Sequence, residues 1–259
     1  MIHDTTIVVL THNALDVTKK FIELLLKNTE AYNLILIDNG STDNTVEYID
    51  SCMTEMRKTI NNITLISNAK NLGVIGGRNQ GYAIYQDNPT EYLCFLDNDQ
   101  FVADGWLHQY KEYMKFNDAD IIGCDAWLMN SDFMPIRNCK RRGEPYTYVG
   151  CGGMMIRKKV LDSIGLFDEQ FNPAYFEDPD FNFRARQNSF KILWNIDARI
   201  THLPHQTLGK NKDKSKIFQS SYAKFKKKMA WYCHVTDKII KYEVTYSHKL
   251  CISFSYRWV

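Results

Sequence analysis

The chain has 259 residues, 44% of them hydrophobic and 24% charged, enough for one large α/β domain or two small ones with a buried core. Its 32 basic and 30 acidic residues leave a formal net charge of +2, which argues against nucleic acid as a bulk electrostatic partner. Seven cysteines, an odd number with no C-x-x-C pair, argue against a disulfide framework or structural zinc and predict a reduced, cytoplasmic chain.

TTIVVLTHN at 5–13 predicts a β-strand that ends in polar Thr11, His12 and Asn13, and VTKKFIELLLKNT at 17–29 carries apolar residues at helical spacing. Leu34 to Ile37 is a second apolar run. The turn-rich Asp38, Asn39, Gly40, Ser41, Thr42 and Asp43 follow it, and a helix is expected with Ser41, Thr42 or Asp43 as its N-cap. Two successive βα units predict a parallel sheet. The third unit reads as a strand in ITLISN, a glycine-rich turn in NLGVIGGRN where Gly76 and Gly77 would permit positive φ, and a helix in QGYAIYQD. YLCFLDND at 92–99 is apolar until it ends in Asp97 and Asp99. Ligands of open parallel sheets bind beyond the carboxyl ends of the strands, so Thr11, Asp38, Asn71 and Asp97 point to one crevice.

After about residue 120 the segments shorten. ADIIGCDAWLM and YVGCGGMMIRKKVLDSIG, separated by a loop with RNCKRRGEP, suggest antiparallel strands and a helix added to one edge. FNFRARQNSF reads as a helix and KILWNIDARITHLP as a terminal pair of strands. The expected organisation is one domain over 1–206, with a nucleotide-binding half at 1–100 and an acceptor and catalytic half at 101–206. A basic and aromatic extension at 207–259 packs on or covers the site. Its segment from Lys210 to Lys228 reads in three ways: a lid over a diphosphate, a contact with an anionic lipid surface, or a solvated helix face. No apolar run is long enough to span a bilayer, so any membrane contact would be peripheral and through this basic segment. The aromatic tail from Trp231 to Val259 leaves a homo-oligomer open.

Asp97-Asn98-Asp99 at the end of an apolar strand places two carboxylates where they can hold a divalent cation against a diphosphate, or form a solvated turn that caps the next segment. Arg78 beside such a site has a phosphate as a ready partner. Glu177, Asp178 and Asp180 crowd the start of the last predicted helix. The local alternative is a charged helix start, with Asp178 as N-cap, Pro179 at the first helical position and Asp180 paired with Arg184.

The ordered set VVLTHN, LIDNGSTDNT, NLGVIGGRNQG, FLDND, GCGGMMIRK, GLFDEQF and YFEDPDFNFRAR resembles the family 2 glycosyltransferases of the GT-A fold, over roughly residues 5–205. The resemblance implies an α/β fold: a Rossmann-like, mostly parallel nucleotide-binding sheet, an added acceptor-binding half and a helical, aromatic C-terminal tail. It also implies transfer of a sugar from a nucleotide diphosphate donor to an acceptor hydroxyl with inversion. A UDP-sugar is favoured and a dTDP-sugar is the alternative; the acceptor would be a saccharide, a lipid-linked saccharide or another hydroxyl compound. Carried over residue by residue, Thr11, Asn13, Asp38 and Asn39 would contact base and ribose, with Arg78, Asp97 and Asn98 also on the donor nucleotide. Asp99, Asp97 and His202 would hold Mn²⁺ or Mg²⁺, His205 being the competitor to His202. Asp178 would be the general base, and Glu177, Gly152 and Gly153 would lie against the sugar or acceptor. Phe254 stands where the Q-x-x-R-W signature of processive members has glutamine, which argues against processive synthesis. A nucleotidyltransferase would carry a glycine-rich loop after the first strand, and THNALDVTKK has no glycine. A silent nucleotide-sugar binding module would lack the base or the metal aspartates.

Overall fold

The computed structural model describes residues 3–29, 31–203 and 213–239. In chain order the first half runs β1 (Thr5–Thr11), α1 (Leu15–Asn28), β2 (Asn33–Asp38), α2 (Thr45–Thr59), β3 (Ile63–Ser67), α3 (Gly73–Asp87) and β4 (Tyr92–Asp97). The second half is made of β5 (Gln100–Val102), α4 (Trp106–Phe116), β6 (Ile121–Gly123), β7 (Ala126–Met129), β8 (Pro135–Asn138), β9 (Tyr148–Val149), β10 (Met155–Arg157), α5 (Lys158–Ile164), a 3₁₀ turn (Glu169–Phe171), α6 (Glu177–Gln187), β11 (Ile192–Trp194), β12 (Ile200–His202) and α7 (Lys214–Ile239).

The central sheet has seven strands in the order β11-β6-β10-β4-β1-β2-β3. β1 to β4 are mutually parallel, β10 is antiparallel to β4 and β6, and β11 is parallel to β6. Both faces of β1 and β2 are covered, so their apolar residues divide by alternation between two cores. Val8, Leu10, Ile35 and Ile37 join one core, while Ile7, Val9, Leu34 and Leu36 join the other. β7 pairs with β8 and β9 in a separate antiparallel sheet, and β5 pairs with β12 in a two-stranded ribbon. The two terminal strands expected in KILWNIDARITHLP therefore form, but in different sheets rather than with each other.

The glycine-rich segment is helix rather than turn. α3 begins at Gly73, which carries the positive φ of 82°, and Gly76 and Gly77 lie within its first turns. Their neighbours explain two of these glycines: a Cβ at Gly77 would stand 2.4 Å from Leu10 Cδ1, and one at Gly81 would stand 2.5 Å from Val8 Cγ1. The missing side chains let α3 lie against β1, which places Arg78 over the strand ends.

The basic segment carries a buried stripe. On α7, Ser221, Phe225 and Met229 are buried and Phe218 and Tyr222 half-buried, while Lys216, Lys226 and Lys227 face solvent. Phe225 packs on Phe133, Phe171, Phe176 and Phe183 with ring centroids 5.3 to 6.2 Å apart. Lys228 reaches Asp168 at 2.8 Å and Asp180 at 2.5 Å, fastening α7 to the 3₁₀ turn and to α6. Removing the Phe225 ring is expected to cost about 3–5 kcal/mol, so Phe225→Ala unfolds at markedly lower urea concentration than the wild type. An unchanged midpoint would mean that α7 is not part of the folded core. Among the described residues no helix is long and apolar enough to cross a membrane.

Candidate active site

The ends of β1 and β2 are laced into one wall. Thr11 Oγ1 donates to Asp38 Oδ1 at 3.3 Å, and the buried Asp38 carboxylate also accepts the Ser41 N–H at 3.0 Å and the Ser41 hydroxyl. Asn13, at φ 56°, gives its N–H to Ser41 Oγ and takes the Thr42 N–H on its side-chain oxygen, both at 2.7 Å. None of the three expected caps is the N-cap of α2, which is Asn44 without a side-chain cap bond; Asp43, one residue earlier, receives the Thr45 N–H at 3.1 Å and the Leu15 N–H at 3.2 Å, tying the α1 and α2 starts together.

Two asparagines expected on the nucleotide also tie the site's backbone together. Asn39 donates to Asn71 Oδ1 at 3.1 Å and to the Gly73 carbonyl at 3.0 Å, and it accepts the Leu72 N–H at 3.0 Å. Asn98 donates to Thr18 Oγ1 at 2.8 Å and to the Asn13 carbonyl at 3.3 Å. Both are buried, and irregular backbone needs such partners for its polar groups.

Arg78 joins the two halves of the site. It is 4% exposed. Its Nη2 lies 2.8 Å from each Asp97 oxygen and its Nη1 lies 3.9 Å from Glu177 Oε1. Burial disfavours its charge, but Asp97, Asp178 and Glu177 outweigh that and hold its pKa above the usual arginine value. With both Asp97 oxygens on the guanidinium, Asp97 acts here as an anchor for Arg78.

Pairing of β12 with β5 sets His202 opposite Gln100, the residue after Asp99. His202 Nε2 lies 3.4 Å from Asp99 Oδ1, a buried atom with no hydrogen-bond partner. Asp99 pulls the imidazole pKa above its usual value against the opposing effect of burial, with smaller help from Asp97 and Asp125. His205 lies outside the described residues. No group of three or more His, Cys, Asp or Glu side chains among the described residues is arranged to hold a metal by itself. Asp99 and His202 supply one oxygen and one nitrogen donor, the kind of partial set that Mg²⁺ or Mn²⁺ completes with phosphate oxygens and water.

The opposite wall is the first turn of α6. Phe176, at φ 68°, precedes that helix, so Glu177, Asp178 and Pro179 are its first three residues and Asp178 is not its N-cap. Asp180 pairs with Arg184 at 2.9 Å, as the four-residue spacing predicts. Asn182 holds α6 to β9 through two 3.0 Å bonds with Val149. Asp178 Oδ1 accepts the Cys151 N–H at 3.0 Å. Burial first and Glu177 second push the Asp178 pKa well above the carboxylate range, with Arg78 and the Cys151 N–H opposing. Glu177 is raised too, again mainly by burial and against Arg78.

Gly152 and Gly153 are glycines for reasons internal to the protein. A Cβ at Gly152 would stand 2.9 Å from Gln100 Nε2 and 3.0 Å from Asp97 Oδ2, and Gly153 has φ 74° with Cys124 Sγ 2.4 Å from its Cβ position. Sequence reasoning missed Gln100, whose Oε1 accepts the Asp97 N–H at 3.0 Å, and Asp125. Gln100 follows Asp99 directly and folds back on Asp97 three residues before it, a signal the sequence carried; Asp125 belongs to no local motif.

A mostly parallel sheet with acidic loops at its carboxyl ends, extended by the β10, β6 and β11 edge, is the GT-A architecture. Solved structures share it. The S. aureus TarS fragment in complex with UDP-GlcNAc aligns at TM-score 0.55 and 17% identity, over 76% of this chain and 57% of that one. The Pyrobaculum calidifontis mannosyltransferase in complex with GDP-Man and Mn²⁺ aligns at TM-score 0.61 and 12% identity, over 78% and 58%. The chain belongs to glycosyl transferase family 2, whose sequence model matches residues 6–196. A poly(ribitol-phosphate) β-glucosyltransferase of Bacillus spizizenii is 27% identical over 45% of this chain and 18% of its own length. An uncharacterized glycosyltransferase of Haemophilus influenzae is 28% identical over 44% and 33%. The chain thus spans a third or less of the length of these curated relatives.

Proposed function

We propose that this chain transfers a glycosyl group from a nucleoside diphosphate sugar to an acceptor hydroxyl, inverting the anomeric configuration. The observation that carries this reading is the Asp178 carboxylate, held on the Cys151 N–H at 3.0 Å and sharing one crevice with Arg78 and Asp97. UDP is the favoured nucleotide. Family membership supports the donor class, as do the UDP-GlcNAc and GDP-Man held by the two solved structures.

In this reading Thr11, Asn13 and Asp38 face the base and ribose, while Asn39 and Asn98 hold the loops that carry them. Asp178 takes the proton of the acceptor hydroxyl as that oxygen attacks the anomeric carbon. Its raised pKa makes it a stronger base than an exposed carboxylate, and Arg78 keeps the ionised form accessible. Glu177 holds Arg78, and Arg78 holds Asp97. Mn²⁺ or Mg²⁺ held by Asp99 and His202 would neutralise charge on the departing diphosphate. The acceptor is a hydroxyl compound such as a saccharide or a lipid-linked saccharide; the name of the Bacillus spizizenii relative adds a polyol-phosphate polymer to this range.

Calorimetric titration with UDP, dTDP, GDP and ADP, in Mn²⁺ and then in EDTA, tests the donor site. Metal-dependent binding of one nucleotide is expected; binding of none would remove the basis of the proposal.

A further inference from the structure

Gly150, between β9 and β10, stands apart from the other glycines of this wall. Its φ lies outside the left-handed region, and a Cβ built on it would meet nothing closer than 3.9 Å. Neither backbone conformation nor packing therefore requires glycine there. The two atoms that a Cβ would meet are Asp125 Cβ at 3.9 Å and Asp178 Oδ2 at 4.0 Å. An alanine methyl would fit the fold while occupying the gap between two acidic side chains, one of which is the proposed base.

Asp125 is held still. Trp127 Nε1–H donates to one of its oxygens at 3.1 Å and the Asn138 amide to the other at 2.5 Å, while its carbonyl accepts the Gly150 N–H at 3.0 Å. A carboxylate offers about four lone-pair sites, so about two remain for a ligand. The Asp125 charge acts on Tyr148, as do the charges of Asp178 and Glu177, and it acts on His202. By geometry Asp125 faces Asp178 across the Gly150 gap, each within 4.0 Å of the same Cβ position. A donor whose diphosphate sits at the Asp99–His202 pair and whose anomeric carbon faces Asp178 has its sugar ring between them. Two carboxylates at that spot repel phosphate and favour neutral groups that donate hydrogen bonds.

We infer that Asp125 is a specificity-determining residue, accepting a hydrogen bond from a hydroxyl of the donor's sugar ring seated over Gly150. This rests on the glycosyl-transfer reading. The test is calorimetry on the full chain in Mn²⁺, comparing wild type, Gly150→Ala and Asp125→Asn with UDP and with UDP-glucose, UDP-galactose and UDP-GlcNAc, or with the equivalent sugars of whichever nucleotide binds. The expected result is unchanged nucleotide affinity in both variants, with the affinity for the preferred nucleotide sugar lower by on the order of tenfold. Gly150→Ala is expected to melt no lower than the wild type, which covers the case in which Asp125→Asn disturbs its Trp127 and Asn138 bonds. Equal nucleotide-sugar affinity in the wild type and both variants would overturn the inference. So would a fall in nucleotide affinity of the same size, or a Gly150→Ala protein that melts markedly lower. A wild type that binds no nucleotide or nucleotide sugar at all fails earlier, at the glycosyl-transfer reading itself.

Discussion

Asp178→Asn is expected to lower transfer by about 10²–10⁴-fold while UDP still binds in Mn²⁺ with wild-type affinity. The amide keeps the shape of the carboxyl and its oxygen still accepts the Cys151 N–H, so only the proton acceptor is lost. A matching loss of UDP affinity would reassign Asp178 to donor binding. The same substitution has an effect on stability with a definite sign. A carboxyl whose pKa is raised on folding holds more protons folded than unfolded, so ionising it costs stability as pH climbs from the ordinary carboxylate value through the raised one. Asp178→Asn escapes that cost. Its melting temperature is expected to lie a few degrees above the wild type at pH 8, on the order of a kcal/mol, and to converge with it below pH 4. The wild-type kcat/KM should correspondingly fall on an acid limb that lies above the usual carboxylate range.

Asp99→Ala is expected to abolish the difference between UDP titrations in Mn²⁺ and in EDTA. Neighbours that merely orient a metal ligand are worth about 10–100-fold in affinity, so loss of a direct ligand is expected to cost at least about 100-fold. His202→Ala should show the same metal selectivity with a smaller loss. If Asp99→Ala binds UDP in Mn²⁺ as tightly as the wild type, the pair at 3.4 Å is an ordinary ion pair and the metal assignment falls.

The first half of the fold was legible because its signals are local. Each apolar run from β1 to β4 stops at a polar residue that caps or turns the chain, and parallel sheets collect such stops at one edge. The approach of His202 to Asp99 was also anticipated, although the β5–β12 ladder that produces it spans about a hundred residues. Three features resisted for physical reasons. The low helix propensity of glycine hid the start of α3, whose glycines answer to Leu10 and Val8 across the sheet. The internal bonds of Asn39 and Asn98 were hidden because nothing in the chain announces the Gly73 and Asn13 carbonyls and the Leu72 N–H that they reach. On α7 the lysines drew the eye from Phe218, Tyr222, Phe225 and Met229, whose spacing of four, three and four residues is that of a buried helical face.

Asp178 and Asp180 lie two residues apart in the opening turn of α6, one against Cys151 and the other against Arg184 and Lys228. That single turn is the base's mounting and the C-terminal helix's mooring at once. Whatever loosens the mooring also slackens the mounting, while the hydrogen bonds that lace the nucleotide wall run among Thr11, Asn13, Asp38, Ser41 and Thr42. Weakening of α7 should therefore register in turnover before it registers in nucleotide affinity.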